Sequence, residues 1–249
     1  MALLEYNSNP KAPEKPVVSG QDTIRIIIGL LGFFLPFILV GGLFVYSCYP
    51  KPLSSISHYY YTRVGSIFCS TLGILAVVLL AYKGKKLIDF IFSTTAAVFA
   101  MLVVILPTNI GYKDARQLPP YFATFIADNC TRSTVHFTSA GIFLGSLALM
   151  SLLRFPKDDS SDEKPKPLDI FMYRASGLVM IVSMLIILLG ANGWLIDKKW
   201  FEDHQGIFWG EAVAVCTFGY SWLLKAGFFS KTANLAKNIK NFHLVNYNE

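Results

Sequence analysis

The stretch Ile26–Ser47 reads IIIGLLGFFLPFILVGGLFVYS and contains no charged residue. A helix needs about 20 apolar residues to cross a bilayer, so this stretch alone predicts a transmembrane helix. Pro36 lies inside it and is expected to kink the helix without ending it, because neighbouring helices in a bundle can satisfy the freed carbonyl. The fold class therefore depends on how many more such stretches the chain contains.

Further apolar stretches of this length follow along the chain, each bounded by charged residues or by Pro, Asn or Gly. The six predicted spans are 26–47, 64–82, 88–107, 135–153, 175–193 and 207–224. The chain is 53% hydrophobic and only 15% charged, against about 25% charged residues in a typical soluble domain. This composition excludes an ordinary soluble enzyme. We predict an all-α, polytopic integral membrane protein with a six-transmembrane-helix bundle at 26–224, in a plasma, inner or organelle membrane.

The charged segments outside the spans orient the predicted bundle. With the N-terminus in the cytoplasm, most of the 22 Lys and Arg residues fall in cytoplasmic segments, as the positive-inside rule requires. The polar N-terminal segment 1–25 lacks the apolar core and cleavage site of a signal peptide, so the first span is expected to remain as an uncleaved anchor. The mixed-charge cytoplasmic linker 154–174 then joins two three-helix halves. Both termini are predicted to be cytoplasmic.

The tail 225–249 carries apolar residues at helical spacing with lysines between them. The apolar residues are Phe228, Leu235, Ile239 and Phe242, and the lysines are Lys231, Lys237 and Lys240. This pattern predicts a basic amphipathic helix on the inner leaflet with anionic lipids as its partners, and a regulatory role for it stays open. The net charge of +6 is thus assigned to loops that face an anionic membrane. Nucleic acid is not an expected partner, and a homo-oligomer is compatible with the sequence.

Ionisable and polar residues collect at the outer ends of the predicted spans. Such a group costs on the order of several kcal/mol in a bilayer unless it is paired or hydrated, so it points to function. Those predicted to line an outward-facing ligand site are His58, Tyr59, Arg63, Asn109, His136, Asn192 and Glu211. Asp89 lies instead at the inner rim, where Lys85 or Lys86 is expected to neutralise it.

Glu211 is the most informative of these residues. It has no charge partner on its own predicted helix, so it must be protonated, solvated or paired with a neighbouring helix. His136 is predicted at a similar depth and is the expected partner. Two interpretations stay open: a His–Glu pair that fixes helix packing, and a catalytic general acid–base or ligand pair in an outward-facing pocket.

A zinc site is a further interpretation of the same residues. His58, His136 and Glu211 would supply three ligands, with His204 or a water as the fourth. The chain contains none of the usual spacings, such as His-Glu-x-x-His or Cys-x-x-Cys. The sequence therefore requires no cofactor, although it offers a candidate zinc set.

Two other features lie in the predicted outer loops. Cys48 and Cys130 both fall there and are candidates for a disulfide if that side is oxidising. The run Tyr59–Tyr61 is typical of an aromatic belt at the membrane interface, with a ligand-pocket lining as the alternative.

Three short motifs resemble those of a known family. They are Ile56-Ser57-His58 after a Pro-containing loop, His136-Phe-x-Ser-Ala-Gly-x-Phe, and Glu211 followed by Phe218-Gly219-Tyr220. Together they resemble the DRAM-type six-span family, which includes autophagy modulators, the yeast suppressor of PI 4-kinase defects and a GPI-anchor remodelling factor. His58 stands where that family usually has Asp. The resemblance implies a small helical bundle associated with membrane lipids and implies no particular reaction.

A weaker resemblance is to the ceramidase/progestin-receptor superfamily of membrane metal hydrolases. It is carried by Ser54-x-x-x-His58, while the seventh span and the closing His-x-x-x-His of that superfamily are absent from the sequence.

Two functional hypotheses follow. In the first, the protein binds or organises membrane lipid through an outward-facing polar cavity. In the second, it is a membrane-embedded lipid hydrolase or acyltransferase, with or without a metal ion, that uses Glu211 and His136. A transporter is disfavoured, because mid-membrane charges and broken helix pairs are lacking apart from Pro36.

Overall fold

The computed structural model describes residues 20–82, 84, 86–157, 166–194, 196–230 and 232, and no β-strand is present among them. The all-α fold class is therefore confirmed. The α-helices are α1 (Gly20–Ser47), α2 (Gly65–Ala81), α3 (Leu87–Ile105), α4 (Cys130–Leu149), α5 (Pro167–Ala191), α6 (Lys198–Asp203) and α7 (Gly206–Lys225). The tail residues Leu235, Ile239 and Phe242, on which the predicted amphipathic helix depends, lie outside the described part of the chain.

Five helical segments of the described chain are long and apolar enough to cross a membrane. They are Asp22–Ser47, Leu87–Ile105, Cys130–Lys157, Pro167–Ala191 and Gly206–Lys225. The remaining predicted span corresponds to α2, which is apolar but has only 17 residues. At about 1.5 Å per residue α2 is roughly 26 Å long, a little short of a bilayer core of about 30 Å. The chain is thus compatible with a multi-pass membrane protein.

The early starts of α4 and α5, relative to the predicted spans, are explained by residues at their N-termini. Asn129 caps α4, its side-chain oxygen accepting the Arg132 backbone N–H at 2.9 Å, so α4 begins at Cys130 rather than near residue 135. α5 begins at Pro167, since a proline is tolerated in the first turn of a helix. The predicted linker 154–174 is consequently helical at both ends, and its residues 158–165 lie outside the described chain.

The long helices form a closed ring around one core. Going around the ring, α1 packs on α2, α2 on α3, α3 on α4, α4 on α5, α5 on α7, and α7 on α1. Fully buried side chains fill one half of the ring around Leu39 and Tyr59 and the other half around Leu147 and Trp222. Large apolar side chains also cover the outside, Val45 being 78% exposed, as expected of helices that face lipid.

One end of the ring, which we name the cap end, gathers the loops that follow α1, α3 and α5. The loop after α1 and the loop after α3 are joined where Thr62 pairs with Phe122 and where the Ala123 N–H donates to the Tyr61 carbonyl at 2.7 Å. The loop after α1 also contacts α7, because the Phe208 N–H donates to the Ser54 carbonyl at 3.1 Å.

At the opposite end of the ring, Asp89 forms an ion pair with Arg154, whose Nε donates to Oδ1 at 2.5 Å. The sequence had pointed to Lys85 or Lys86 as its neutralising residue, and Lys85 lies outside the described chain. The sequence does not indicate Arg154, because its charge pattern predicts a solvated linker at 154–174. A π-helical turn, Met150–Arg154, instead continues α4 and carries Arg154 to the start of α3.

Candidate functional site

The cap end is closed by a short stretch that we name the cap segment, Ser54–Tyr61. Its residues Ile56–Tyr61 form a 3₁₀ helix, which begins because the Ser55 hydroxyl oxygen accepts the Ser57 backbone N–H at 3.1 Å. Ser55, Ile56 and Ser57 are all buried. Buried polar groups require hydrogen-bond partners, and the surrounding helices supply them.

Glu211, in the second turn of α7, holds the first half of the cap segment. Its carboxylate accepts the Ser55 hydroxyl at 2.9 and 3.0 Å and the Ile56 backbone N–H at 2.6 Å. Both donors belong to buried residues, so each of them needs an acceptor within the protein. Glu211 therefore ties α7 to the loop after α1.

His136, in the second turn of α4, holds the next residue of the cap segment. Its Nδ1 donates to the Leu106 carbonyl at 2.7 Å, and its Nε2 lies 3.0 Å from the Ser57 hydroxyl oxygen. A carbonyl can only accept, so the proton of the neutral ring is on Nδ1, and Nε2 accepts the hydroxyl proton of Ser57. The side chain of His136 is 1% exposed.

The predicted direct pair of Glu211 with His136 is wrong. The two side chains bind adjacent parts of the cap segment, Ser55 and Ile56 for Glu211 and Ser57 for His136. The physical reason is the ring order: α4 lies between α3 and α5, whereas α7 lies between α5 and α1. A loop inserted from above the ring, rather than a helix–helix contact, satisfies both groups.

His58 and Asn109 meet as neighbours at this end. The Nε2 of His58 donates to the Asn109 carbonyl at 3.1 Å. The side-chain oxygen of Asn109 accepts the Asn129 backbone N–H at 3.0 Å and the Arg132 guanidinium at 3.1 Å. Arg132 also donates to the Pro107 carbonyl at 2.8 Å, so it fixes the turn that receives His58.

Burial lowers the pKa of His58 from 6.5 to about 4, and the nearby His136 adds to the lowering, whereas the Asn109 hydrogen bond and Asp128 oppose it. The unfolded chain therefore binds more protons than the folded chain between these two pH values, so folding stability is lost as pH falls through this window. We expect the melting temperature in detergent to fall as the pH is lowered from 6.5 to 4. His58 accounts for a loss of at most about 3 kcal/mol in the free energy of unfolding over this range.

Two variants isolate this contribution. His58→Gln is expected to flatten the pH dependence of the melting temperature. His204→Gln, which changes an exposed histidine at the end of α6, is expected to keep the wild-type slope. Equal slopes in all three proteins would contradict the assignment to His58.

The tyrosine run is part of the core and not an interfacial belt. Tyr59 and Tyr61 are both 0% exposed, and only Tyr60 of the run is half-buried. The Leu53 N–H donates to the Tyr59 hydroxyl at 3.3 Å, and the Tyr61 hydroxyl donates to the Thr108 carbonyl at 2.6 Å. Burial raises the pKa of Tyr59 to about 12. The interface prediction is therefore wrong for these two residues.

The remaining predicted ligand residues lie apart from the cap-segment hydrogen bonds. Arg63 is exposed in the turn before α2. Asn192 is exposed at the C-terminal end of α5, where its amide donates to the Leu188 carbonyl at 2.8 Å. Asn192 and Glu211 do line one cavity together.

The predicted zinc set and disulfide do not form. Among the residues that the structure describes, no three His, Cys, Asp or Glu side chains lie close enough together to hold a metal ion. His58, His136 and Glu211 each bind a different part of the loops instead. Cys48 and Cys130 are exposed free thiols, because Cys48 follows α1 and Cys130 begins α4, and these helices are not neighbours in the ring.

Two cavities meet at Glu211. The larger, about 570 Å³, is a groove between α4, α5 and α7, which we name the lateral groove. The smaller, about 60 Å³, lies inside the ring beneath the cap segment, and we name it the inner cavity. Ala140, Leu144 and Glu211 line both cavities, so they form the wall between them.

The structure adds site residues that the sequence did not indicate as partners. The Ser55 hydroxyl donates to Glu211, and the Ser57 hydroxyl donates to His136. Arg132 donates to Asn109 in the loop that binds His58. The serine-rich start of the cap segment was visible in the sequence as a polar stretch. A serine at the N-cap of a short helix is the signal that would have singled out Ser55, whereas the N-cap hydrogen bond uses only the backbone N–H of Ser57.

The fold and the cavities define a helical protein with five segments of membrane-spanning length and a polar cluster under one end. No family model, no curated protein and no solved structure matches this chain.

Proposed function

We propose that this chain is a six-span integral membrane protein with cytoplasmic termini that binds a membrane lipid in the lateral groove. The six-span assignment is supported by the closed ring, in which α2 occupies a full position between α1 and α3. The orientation is supported by the excess of Lys and Arg on the side away from the cap segment. The cap end then faces outward and the tail 225–249 meets anionic lipids of the inner leaflet.

The observation that carries the proposal is the lateral groove itself. Its volume of about 570 Å³ falls within the range of about 300–1,000 Å³ that is typical of small-molecule sites. Its walls are almost entirely aliphatic, with Leu144, Ile181 and Met184 among them. The unbranched methionine side chain adapts well to a flexible acyl chain.

The polar groups of the lateral groove lie at its cap end. Asn192 and Glu211 are placed there, and no other side chain that lines the described groove is polar. Phe137 and Leu188, which line the groove, are each 51% exposed, so the groove opens to the outside of the ring. This arrangement suits a lipid whose acyl chain enters sideways and whose polar part stays near Asn192.

The test is to fill the lateral groove without disturbing the helices. Gly141 lines the groove, and a Cβ built at this position meets nothing within 4 Å, so Gly141→Leu starts a new side chain in open space at the groove. We expect the amount of lipid that co-purifies per chain, measured by mass spectrometry, to fall by about fivefold, which corresponds to about 1 kcal/mol of lost binding.

Gly73→Leu is the matched control. Gly73 lies in α2, also has open space around its Cβ position, and does not line the lateral groove. This variant is expected to keep the wild-type lipid content. Equal lipid content in the wild type and in both variants would refute binding in the lateral groove.

A further inference from the structure

Ser57 and His136 have the arrangement of a nucleophile and its base. The Ser57 hydroxyl donates to His136 Nε2 at 3.0 Å, and the Leu106 carbonyl orients the ring by accepting from Nδ1 at 2.7 Å. An activated serine requires a base within about 2.6–3.2 Å and a third group that orients the base. Fastening the cap segment would require only that some acceptor meet the Ser57 hydroxyl, not a histidine with this tautomer.

Ser57 is also placed next to space that a substrate can use. Its side chain lines the inner cavity. Ala140 lies one helical turn from His136 on the same face of α4, and its small side chain forms part of the wall between the inner cavity and the lateral groove. A reacting group that passes the small side chain of Ala140 from the lateral groove into the inner cavity therefore comes up to Ser57.

We infer that Ser57 is a nucleophile and His136 its general base for the cleavage of a carboxylic ester of a membrane lipid. This inference rests on the proposed function, since the lateral groove holds the acyl chain of that ester. The substrate class is an acyl ester because the groove is apolar and the inner cavity is too small, at about 60 Å³, for more than the reacting group.

The reaction proceeds in two balanced steps. The Ser57 oxygen forms a bond to the ester carbonyl carbon while its proton passes to His136 Nε2, and the bond to the alcohol breaks as that alcohol takes the proton from His136. A water molecule then attacks the acyl-serine with His136 as the base, which releases the fatty acid and restores Ser57. The inner cavity has room for a few waters, each of which needs about 10–15 Å³.

The inner cavity also supplies a hydroxyl group to the reacting carbonyl. Besides Ser57 and Glu211, Thr71 of α2 is the polar side chain that lines the cavity. The Glu211 oxygens are already occupied by the Ser55 hydroxyl and the Ile56 N–H, so the Thr71 hydroxyl is assigned as the donor to the developing negative charge on the carbonyl oxygen.

The experiment treats the purified full chain with hexadecyl fluorophosphonate, which bonds covalently to activated serines and releases fluoride. Peptide mapping by mass spectrometry locates the adduct, and the lipid content of the same preparation is measured. We expect Ser57 to be modified about 100-fold faster than any other serine, which is the scale of general-base assistance. His136→Gln is expected to slow the modification of Ser57 by a similar factor.

Ser139→Ala is the matched control, since Ser139 is another buried serine on α4 and does not line the inner cavity. It is expected to leave the modification of Ser57 unchanged. The rate of Ser57 modification in the wild-type chain, compared with that of its other serines, tests the nucleophile even if a variant fails to fold. A chain that carries lipid but whose Ser57 reacts no faster than its other serines refutes the nucleophile and leaves lipid binding intact. Rapid modification of Ser57 in a chain without bound lipid supports the nucleophile and counts against the proposed function.

Discussion

Glu211→Ala is expected to destabilise the protein by about 3 kcal/mol. The substitution removes the acceptor of the Ser55 hydroxyl and of the Ile56 backbone N–H, which Glu211 binds at 2.9 and 2.6 Å. A buried donor left without a partner costs about 1–3 kcal/mol, and both donors are on buried residues. For a chain of this size the loss corresponds to a fall in melting temperature of roughly 6–12 °C.

Two further variants separate the lost hydrogen bonds from a general effect of removing an acidic residue. Glu211→Gln keeps one acceptor oxygen and is expected to lose less than half as much stability. Glu202→Ala removes an exposed carboxylate whose ion pair with Lys198 spans 3.8 Å, and it is expected to change the melting temperature by no more than 1–2 °C. If Glu211→Ala were no more destabilising than Glu202→Ala, Glu211 would not hold the cap segment.

The sequence predicted the helices well because the bilayer imposes a length on each apolar run. The run Ile26–Ser47 lies wholly within α1, and α1 continues through Pro36 as expected. The starts of α4 and α5 were missed because helix N-termini depend on single residues such as Asn129 and Pro167, which hydropathy does not register.

The sequence also identified Glu211 and His136 as the buried groups to explain, because an ionisable side chain in an apolar run requires a partner. It could not name the partners. Ser55 lies 156 positions from Glu211, and Ser57 lies 79 positions from His136, so only the folded loop brings them together. The same limit applies to Cys48 and Cys130, whose loops share one end of the ring but whose helices are not adjacent.

The ring depends most on the place where α1 and α7 approach closely. A Cβ at Gly219 would clash with the Phe33 nitrogen and would lie 2.6 Å from the Gly29 carbonyl oxygen. Both contacts are with backbone atoms of α1, which no side-chain rotation can relieve. Gly219→Ala must therefore push the two helices apart, and we expect a loss of at least about 3 kcal/mol, the upper end of the usual cost of overpacking.

Gly41→Ala is the control for Gly219→Ala. Gly41 is on α1 itself, and a Cβ there meets nothing within 4 Å, so this variant is expected to be neutral or up to about 1 kcal/mol more stable. Melting temperature and the monodisperse fraction in size-exclusion chromatography measure both variants. Similar melting temperatures for the two would show that α1 and α7 do not meet backbone to backbone at Gly219. α7 carries Glu211 two turns before Gly219, so displacement of α7 is also expected to loosen the cap segment. The pH dependence of the melting temperature that is due to His58 should then weaken as well.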